Sequence, residues 1–293
     1  MPERAGHDAG TISWRALWVQ TAATVGGRPQ ARWLCEAASG FDGDEFLAEL
    51  DSAATMRSVA LLDLMLGRLA IGEPLQYVLG SWAFRRLDLM VDRRVLIPRP
   101  ETEQVAGIAL ELARTLPRPI VCADLGTGSG AIGLSLAAEL PVEGVTVWMT
   151  EVHVDALDVA RANIAGIGRG AANVRCGVGS WFAALPDELR GELHVVVSNP
   201  PYVPDDDPAL EPIVRDWEPA TALFAGADGL DAVRAIAGEA VAWLAPGGWL
   251  VLEIGSGQGP AVAALLGENG LTDVEIRLDA AGHTRVAVAR RPE

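Results

Sequence analysis

The sequence predicts an α/β protein in which a doubly wound, mostly parallel sheet follows a small helical domain. Three observations support this fold class. From Ile120 onward, short apolar stretches alternate with segments of helical spacing, as in parallel sheets covered by helices. A glycine-rich turn joins the first of these stretches to a helix. Before about residue 72, apolar residues recur at helical spacing and no strand pattern interrupts them.

Residues 1–72 are predicted to form the helical domain. Its first twelve residues are polar and contain glycine, which favours a disordered start. The helical pattern begins at Trp14 and continues through residues 31–38 and 56–69. A stripe of Trp and Leu at this spacing is typical of a core and not of a ligand site. The first helix shows it on one face, formed by Trp14, Leu17, Trp18 and Thr21.

Residues 73–100 are predicted to link the two domains through a β-hairpin. Alternating apolar residues from Phe84 to Val91 precede Asp92-Arg93, and residues 95–97 are again apolar. The second domain, residues 101–293, begins with a helix over 101–116, which opens after Pro100 and ends before Pro117. Its last three strands are predicted at residues 249–254, 273–276 and 285–289.

Length and composition favour a two-domain protein without a membrane segment or a metal site. The chain has 293 residues, of which 50% are hydrophobic, enough for a sizeable core. There is no run of eighteen apolar residues and no basic-then-apolar N-terminus, so we expect a soluble, cytoplasmic protein. Three dispersed cysteines argue against a disulfide framework. The four histidines lack metal-ligand spacing, so we expect no metal site.

The charge is concentrated in the second domain. The chain carries 23 basic residues, all Arg, and 39 acidic ones, for a net charge of −16. Residues 1–100 hold 11 Arg and 12 acids, which leaves −15 for the remainder. Because nucleic-acid affinity depends on neutralising phosphates with cations, such a surface disfavours nucleic acid as a partner. A basic protein partner is favoured instead.

A glycine-rich loop follows the strand that begins at Ile120. It reads Asp-Leu-Gly-Thr-Gly-Ser-Gly over residues 124–130 and leads into a helix. Glycines let a backbone approach a ligand closely, and a helix N-terminus favours electronegative groups. The spacing fits the dinucleotide fingerprint poorly. The next strand ends in Glu151, where a carboxylate can accept hydrogen bonds from both hydroxyls of a ribose; an exposed, merely solvated Glu is the alternative.

The strand over residues 195–198 runs directly into Asn199, Pro200, Pro201 and Tyr202. The prolines lack an N–H and force an extended backbone, so the carbonyls of Asn199 and Pro200 can point the same way. Together with the Asn199 side-chain oxygen, these acceptors suit the two hydrogens of a planar NH2 group, and Tyr202 offers a face for stacking. The predicted substrate is an amide or exocyclic amine, as in glutamine, adenine or cytosine; the alternative is a polar proline turn.

These two motifs resemble those of the class I methyltransferases, which use S-adenosyl-L-methionine. Residues 124–130 resemble the first motif of that class and residues 199–202 the fourth. Over about residues 70–290 the chain is similar to the release factor glutamine methyltransferases, the HemK/PrmC group. The most specific element is Ile-Pro-Arg-Pro-Glu-Thr-Glu, because the related ribosomal-protein glutamine methyltransferases differ there. It occupies residues 97–103, and the other similar stretches are residues 72–80, 180–182, 218–223 and 226–230.

The resemblance implies a seven-stranded sheet of order 3-2-1-4-5-7-6, with the seventh strand antiparallel. It also implies that S-adenosyl-L-methionine is the cofactor, with Glu151 at the ribose, where the family usually has Asp, and Trp181 at the adenine. For Trp181 a simple core position is the alternative. The loop residues at the methionine part, and Asn199 beside them, complete the implied cofactor site: Gly126, Thr127, Gly128, Ser129 and Gly130.

The implied reaction is N5-methylation of the glutamine in the Gly-Gly-Gln loop of bacterial peptide chain release factors. Asn199, Pro200 and Tyr202 would be the catalytic residues, and Pro201 would join them in binding the substrate. Domain 1–72 would recognise the release factor, and we expect a monomer. Alternatives are a ribosomal-protein glutamine methyltransferase, a DNA adenine N6-methyltransferase, which should bring a basic groove, and a non-catalytic binding module, which should have lost these motifs.

Overall fold

The computed structural model of the protein describes residues 12–293. The chain divides into two units, the first ending at Gly80 and the second running from Ser81 to Glu293. Most of the predicted disordered start, residues 1–11, lies outside the described residues. Ile12 is held in place, because its carbonyl accepts a 2.8 Å hydrogen bond from the N–H of Ala54.

The described part of the first unit is helical, as predicted. Ser13 and Thr55 cap two of the helices by accepting backbone N–H groups with their hydroxyls. Trp14 and Leu17 are buried in the core, where the Trp14 ring meets Phe46 edge-on at 6.0 Å. The helices are α1 (Trp14–Val25), α2 (Arg28–Ser39), α3 (Gly43–Ala48), α4 (Met56–Ala70) and α5 (Leu75–Leu79).

The predicted hairpin is present, but its turn lies elsewhere. Strands β1 (Ser81–Phe84) and β2 (Leu87–Met90) pair antiparallel around Arg85 and Arg86, and residues 92–97 form no strand. Arg85 adopts a φ of 52° and is fixed there, since its N–H donates to Glu103 and its guanidinium to Glu139. A turn does form at Asp92, whose side chain accepts the N–H of Arg94 and whose carbonyl accepts that of Val95, but no strand follows it. The predicted position of the hairpin turn was therefore wrong.

The second unit is built on a seven-stranded sheet of order β5-β4-β3-β6-β7-β9-β8. Numbered from its own first strand, this order is 3-2-1-4-5-7-6, which confirms the implied topology. Strand β9 runs in the direction opposite to the other six strands of this sheet. The strands are β3 (Ile120–Leu125), β4 (Val145–Glu151), β5 (Val174–Val178), β6 (Leu193–Ser198), β7 (Leu244–Glu253), β8 (Thr272–Leu278) and β9 (Thr284–Arg290).

Helices cover both faces of this sheet, so its central strands are buried on both sides. The helix predicted over residues 101–116 is observed at Pro100–Thr115. No described helix has the length and apolar character needed to span a membrane. The helices are α6 (Pro100–Thr115), α7 (Ala131–Glu139), α8 (Val154–Gly166), α9 (Pro212–Trp217), α10 (Asp231–Trp243) and α11 (Gly259–Glu268), with short 3-10 turns between them.

The topology brings four strand ends together. Strands β4, β3, β6 and β7 are consecutive in the sheet and parallel, so their carboxyl ends lie along one edge. The Ser198 hydroxyl donates a 2.6 Å hydrogen bond to the Leu125 carbonyl and ties two of these ends to each other. In doubly wound sheets ligands bind at this edge, next to the point where the strand order reverses.

Candidate active site

A cavity of about 180 Å³ opens at the carboxyl ends of these strands. Eight of the predicted site residues line it: Gly126, Thr127, Gly128, Ser129, Glu151, Trp181, Asn199 and Pro201. Gly130, Pro200 and Tyr202 are described but are not among the lining residues. The cavity therefore joins the glycine loop to the start of the Asn-Pro-Pro-Tyr motif in one space. Further lining comes from Arg94, Val95, Leu96, Pro98, Thr102, Asp124, Pro219, Thr221 and Ala222.

Asp124, at the end of β3, organises the glycine loop. Its Oδ2 accepts hydrogen bonds from the Thr127 hydroxyl at 2.5 Å and from the Gly133 N–H at 2.8 Å. Its Oδ1 is buried and has no hydrogen-bond partner among the described residues. Burial raises the pKa of Asp124 to about 6. An unpaired carboxylate oxygen beside a cavity suits a cationic group of a ligand.

The glycines of the loop serve different purposes. A Cβ built on Gly128 would have no described atom within 4 Å, and its φ of +54° disfavours any side chain. At Gly130 a Cβ would lie 2.8 Å from Leu134 and 2.9 Å from Met149. Gly128 thus leaves the cavity open, whereas Gly130 allows α7 to pack closely against β4.

Glu151, at the end of β4, is buried and already carries three hydrogen bonds. Its Oε2 accepts the N–H of Gly128 at 3.1 Å, and its Oε1 accepts the N–H groups of Val152 and His153. Each carboxylate oxygen can accept more than one hydrogen bond, so a ligand hydroxyl can still bind. The carboxylate also fixes the glycine loop, a role that the sequence did not indicate.

Of the two aromatic residues that follow β5, Trp181 faces the cavity and Phe182 lies in the core. Phe182 is fully buried and stacks on Trp243 with 5.6 Å between ring centroids. Trp181 lines the cavity, and its ring is what a Cβ at Gly126 would meet, at 3.1 Å. Trp181 has a φ of +48°, which is an uncommon backbone conformation for an aromatic residue.

The Asn-Pro-Pro-Tyr motif is anchored by side chains from other elements. The Asn199 amide Nδ2 donates to the Thr102 hydroxyl of α6 at 3.2 Å. The Tyr202 hydroxyl donates to Glu253 at the end of β7, at 3.3 Å, and burial raises the pKa of Tyr202. The Tyr202 carbonyl accepts a 3.0 Å hydrogen bond from Gln258.

Sequence reasoning assigned no role to Thr102, Glu253 or Glu218. Thr102 stands inside the family-like stretch 97–103, and Glu253 is a carboxylate at the end of an apolar strand, which is a usable signal. Glu218 is buried, and its carboxylate accepts the N–H of Ile97 at 3.0 Å and a 2.5 Å hydrogen bond from Arg99. It thereby holds the lining segment 94–98 beside residues 219–222.

The strand order and the two motifs at one cavity define a class I methyltransferase. A family model described as "Methyltransferase small domain" matches residues 109–215. The chain also resembles the crystal structure of a methyltransferase from Pyrococcus furiosus, with a TM-score of 0.51 and 19% identity over 78% of this chain and 98% of that one.

Two curated relatives define the family more narrowly. The release factor glutamine methyltransferase of Burkholderia pseudomallei is 44% identical over 246 residues, 83% of each chain. The protein of the same name from Geobacter sulfurreducens is 36% identical over 283 residues, 95% of each chain. The chain belongs to the release factor glutamine methyltransferase family.

Proposed function

We propose that the protein methylates the N5 atom of the glutamine in the Gly-Gly-Gln loop of a bacterial peptide chain release factor, with S-adenosyl-L-methionine as the methyl donor. The observation that carries this proposal is the shared cavity. The glycine loop and Asn199 line the same space, so a cofactor and an amide can meet there. Family membership names the substrate class.

The residues at the loop fit the cofactor. The unpaired Asp124 Oδ1 suits the ammonium group of a methionine moiety, and the open space at Gly128 leaves room for it. We assign Glu151 to the ribose hydroxyls and Trp181 to the adenine. When bound, S-adenosyl-L-methionine would supply a methyl group on a sulfonium, whose sulfur departs as a neutral thioether, while the amide nitrogen gives up one of its two hydrogens as a proton. The remaining loop residues in contact with it would be Gly126, Thr127 and Ser129, with Gly130 shaping the turn.

The chain's task is to present a poor nucleophile. An amide nitrogen shares its lone pair with the carbonyl, so it must be held at the reacting position. We assign its two hydrogens to the Asn199 Oδ1 and the Pro200 carbonyl. Oriented proximity of this kind lowers a barrier by roughly 7–11 kcal/mol in the best cases. Because the nitrogen gains positive charge during transfer, fixed acceptors bind the transition state more tightly than the ground state.

The prolines and the tyrosine complete the substrate site in this proposal. Pro200 and Pro201 carry no N–H that would compete as a donor. Pro201 lines the cavity, where it would contact the substrate. The Tyr202 ring would stack on the flat amide while Glu253 holds its hydroxyl.

The partner and location follow from the same proposal. We assign recognition of the release factor to the N-terminal domain, residues 1–72 in the sequence prediction, and the chemistry to the second unit, acting as a monomer. The net charge of −15 after residue 100 makes nucleic acid an unfavourable acceptor. We place the reaction in the cytoplasm, where release factors act.

Labelled cofactor and four acceptors test this function. The protein would be incubated with radiolabelled S-adenosyl-L-methionine and a release factor, the same factor with its loop Gln changed to Glu, ribosomal proteins, or double-stranded DNA. Label is expected only in the unchanged factor, and mass spectrometry should place one methyl group on the loop glutamine. Label in DNA, in ribosomal proteins or in the Glu variant would overturn the proposal.

A further inference from the structure

A carboxylate outside the cavity lining connects both polar side chains of the Asn-Pro-Pro-Tyr motif. Glu253 is fully buried at the end of β7. Its Oε2 accepts a 2.6 Å hydrogen bond from the Thr102 hydroxyl, and its Oε1 accepts the Tyr202 hydroxyl at 3.3 Å. Thr102 in turn accepts the Asn199 amide at 3.2 Å. The chain of contacts thus runs from Glu253 through Thr102 to Asn199.

The direction of these hydrogen bonds fixes which end of the Asn199 amide is free. An ionised carboxylate only accepts, so the single hydroxyl hydrogen of Thr102 is committed to Glu253. Thr102 can then offer Asn199 only a lone pair, which the NH2 group satisfies and the carbonyl oxygen does not. If the amide were reversed, two oxygens would meet without a hydrogen between them. The Asn199 Oδ1 is therefore left for the substrate.

We propose that Thr102 and Glu253 are positioning residues that hold the Asn199 side chain with its oxygen towards the substrate amide. The inference rests on the proposed function, because it concerns the acceptor that the substrate NH2 would use. It assigns a purpose to the threonine in the stretch 97–103, which the sequence marks but does not explain.

The protonation state of Glu253 makes the orientation of the Asn199 side chain depend on pH. The pKa of Glu253 is raised to about 7, chiefly by burial and slightly by the nearby Glu101. The hydrogen bonds from Thr102 and Tyr202 and the charge of Arg285 on β9 keep it from rising further. A protonated Glu253 can donate to the Thr102 hydroxyl, which then becomes free to donate to Asn199. Both amide orientations are then allowed, and the productive one is no longer enforced.

The first test removes the Thr102 hydroxyl at nearly constant shape. Thr102→Val should lower kcat on a release factor by about 10- to 100-fold, the scale of a misplaced reacting group, with cofactor affinity unchanged in calorimetric titration. Thr102→Ser keeps the hydroxyl and should recover most of the activity. Thr115→Val, at the far end of α6, loses a hydroxyl bond to the Leu112 carbonyl and serves as the matched control.

A double-mutant cycle separates positioning from general damage. If Thr102 acts through Asn199, Thr102→Val should have no further effect in an Asn199→Ala background. An unchanged kcat in Thr102→Val, or the same loss in both backgrounds, would overturn the inference. If the wild type methylates no release factor, both the inference and the proposed function fail; wild-type methylation with an unaffected Thr102→Val overturns the inference alone.

The second test uses the pH profile of kcat at saturating cofactor. In the wild type, kcat should fall as the pH drops through about 7. Glu253→Gln should have a lower kcat without this titration, because the amide can donate to Thr102 at any pH. A variant that keeps the wild-type profile would contradict the inference. If Glu253→Gln does not fold, the comparison of Thr102→Val with Thr102→Ser and the double-mutant cycle with Asn199→Ala still test the inference.

Discussion

Asn199 shows how much chemistry a single side chain can carry. Its amide has a donor end held by Thr102 and an acceptor end that we assign to the substrate. Asn199→Ala should lower kcat by at least about 100-fold, as removal of one preorganised active-site group does, while cofactor affinity stays within a few-fold. Steady-state kinetics and calorimetric titration measure the two. Asn173→Ala removes an amide bonded to the Val142 carbonyl and is the control; near-normal turnover in Asn199→Ala would exclude the clamp.

Gly128 tests the cofactor loop. Gly128→Val should abolish cofactor binding, because its side chain would enter the open cavity and strain a φ of +54°. Gly168→Val is the matched control, since Gly168 has a φ of +63°, equally open surroundings and no place in the cavity lining. Circular dichroism should show both variants folded. Equal cofactor affinity in the two variants would mean that this loop is not the cofactor site.

The raised pKa of Asp124 leads us to expect that cofactor binding depends on pH. Its pKa is about 6 in the folded protein, against an ordinary value of 3.8, so its contribution to stability is lost as pH rises from about 3.8 to 6. A cationic ligand group favours the ionised form, so cofactor affinity should fall as pH drops below about 6. Calorimetry in buffers of different ionisation enthalpy should show proton release on binding. His153→Gln controls for the histidine in the lining, and a pH-independent affinity would contradict the role of Asp124.

At the scale of elements, local patterns were read more reliably than turns. The alternation of strands and helices, the start of α6 at Pro100 and the last three strands were predicted, because periodicity and proline signals are local. The hairpin turn was misplaced because it depends on Glu103 and Glu139, which hold Arg85 from other elements. Contacts with side chains of other elements cannot be predicted from the sequence of the segment itself.

The same distinction applies to the site. The glycine loop and the Asn-Pro-Pro-Tyr motif were identifiable because each places its chemistry in consecutive residues. The bond between Thr102 and Glu253 spans 151 positions of the chain, and only the sheet order brings the two residues together. The free Oδ1 of Asp124 likewise became apparent only from its surroundings.

Glu218 links two elements of the cavity rim, and its removal should affect both stability and binding. Glu218→Ala leaves the Ile97 N–H and Arg99 without their acceptor, which should cost about 2–4 kcal/mol of unfolding free energy. A looser segment 94–98 should also raise KM. Urea denaturation and kinetics measure the two effects. Asp158→Asn breaks an exposed pair with Arg161 and should change stability by less than about 0.5 kcal/mol; an equally small effect at Glu218 would show that the rim does not depend on it.

At the scale of the whole molecule, the candidate active site lies within one of the two units. Every lining residue of the cavity belongs to the second unit, which has its own hydrophobic core. The described residues of the helical first unit contribute none of the lining. We therefore expect the chemical step and the recognition of the protein substrate to be separable.

A chain that begins at Ser81 tests this separation. It should bind the cofactor within a few-fold of the full chain, because all lining residues are retained. On an intact release factor its kcat/KM should fall at least about tenfold, since binding energy remote from the reacting amide is lost. On a short peptide that contains Gly-Gly-Gln, the two chains should be equally slow, because such a peptide offers the first unit nothing to bind. The peptide thus distinguishes lost recognition from a damaged active site. If the shortened chain methylates the intact factor as fast as the full chain, the first unit does not recognise the substrate.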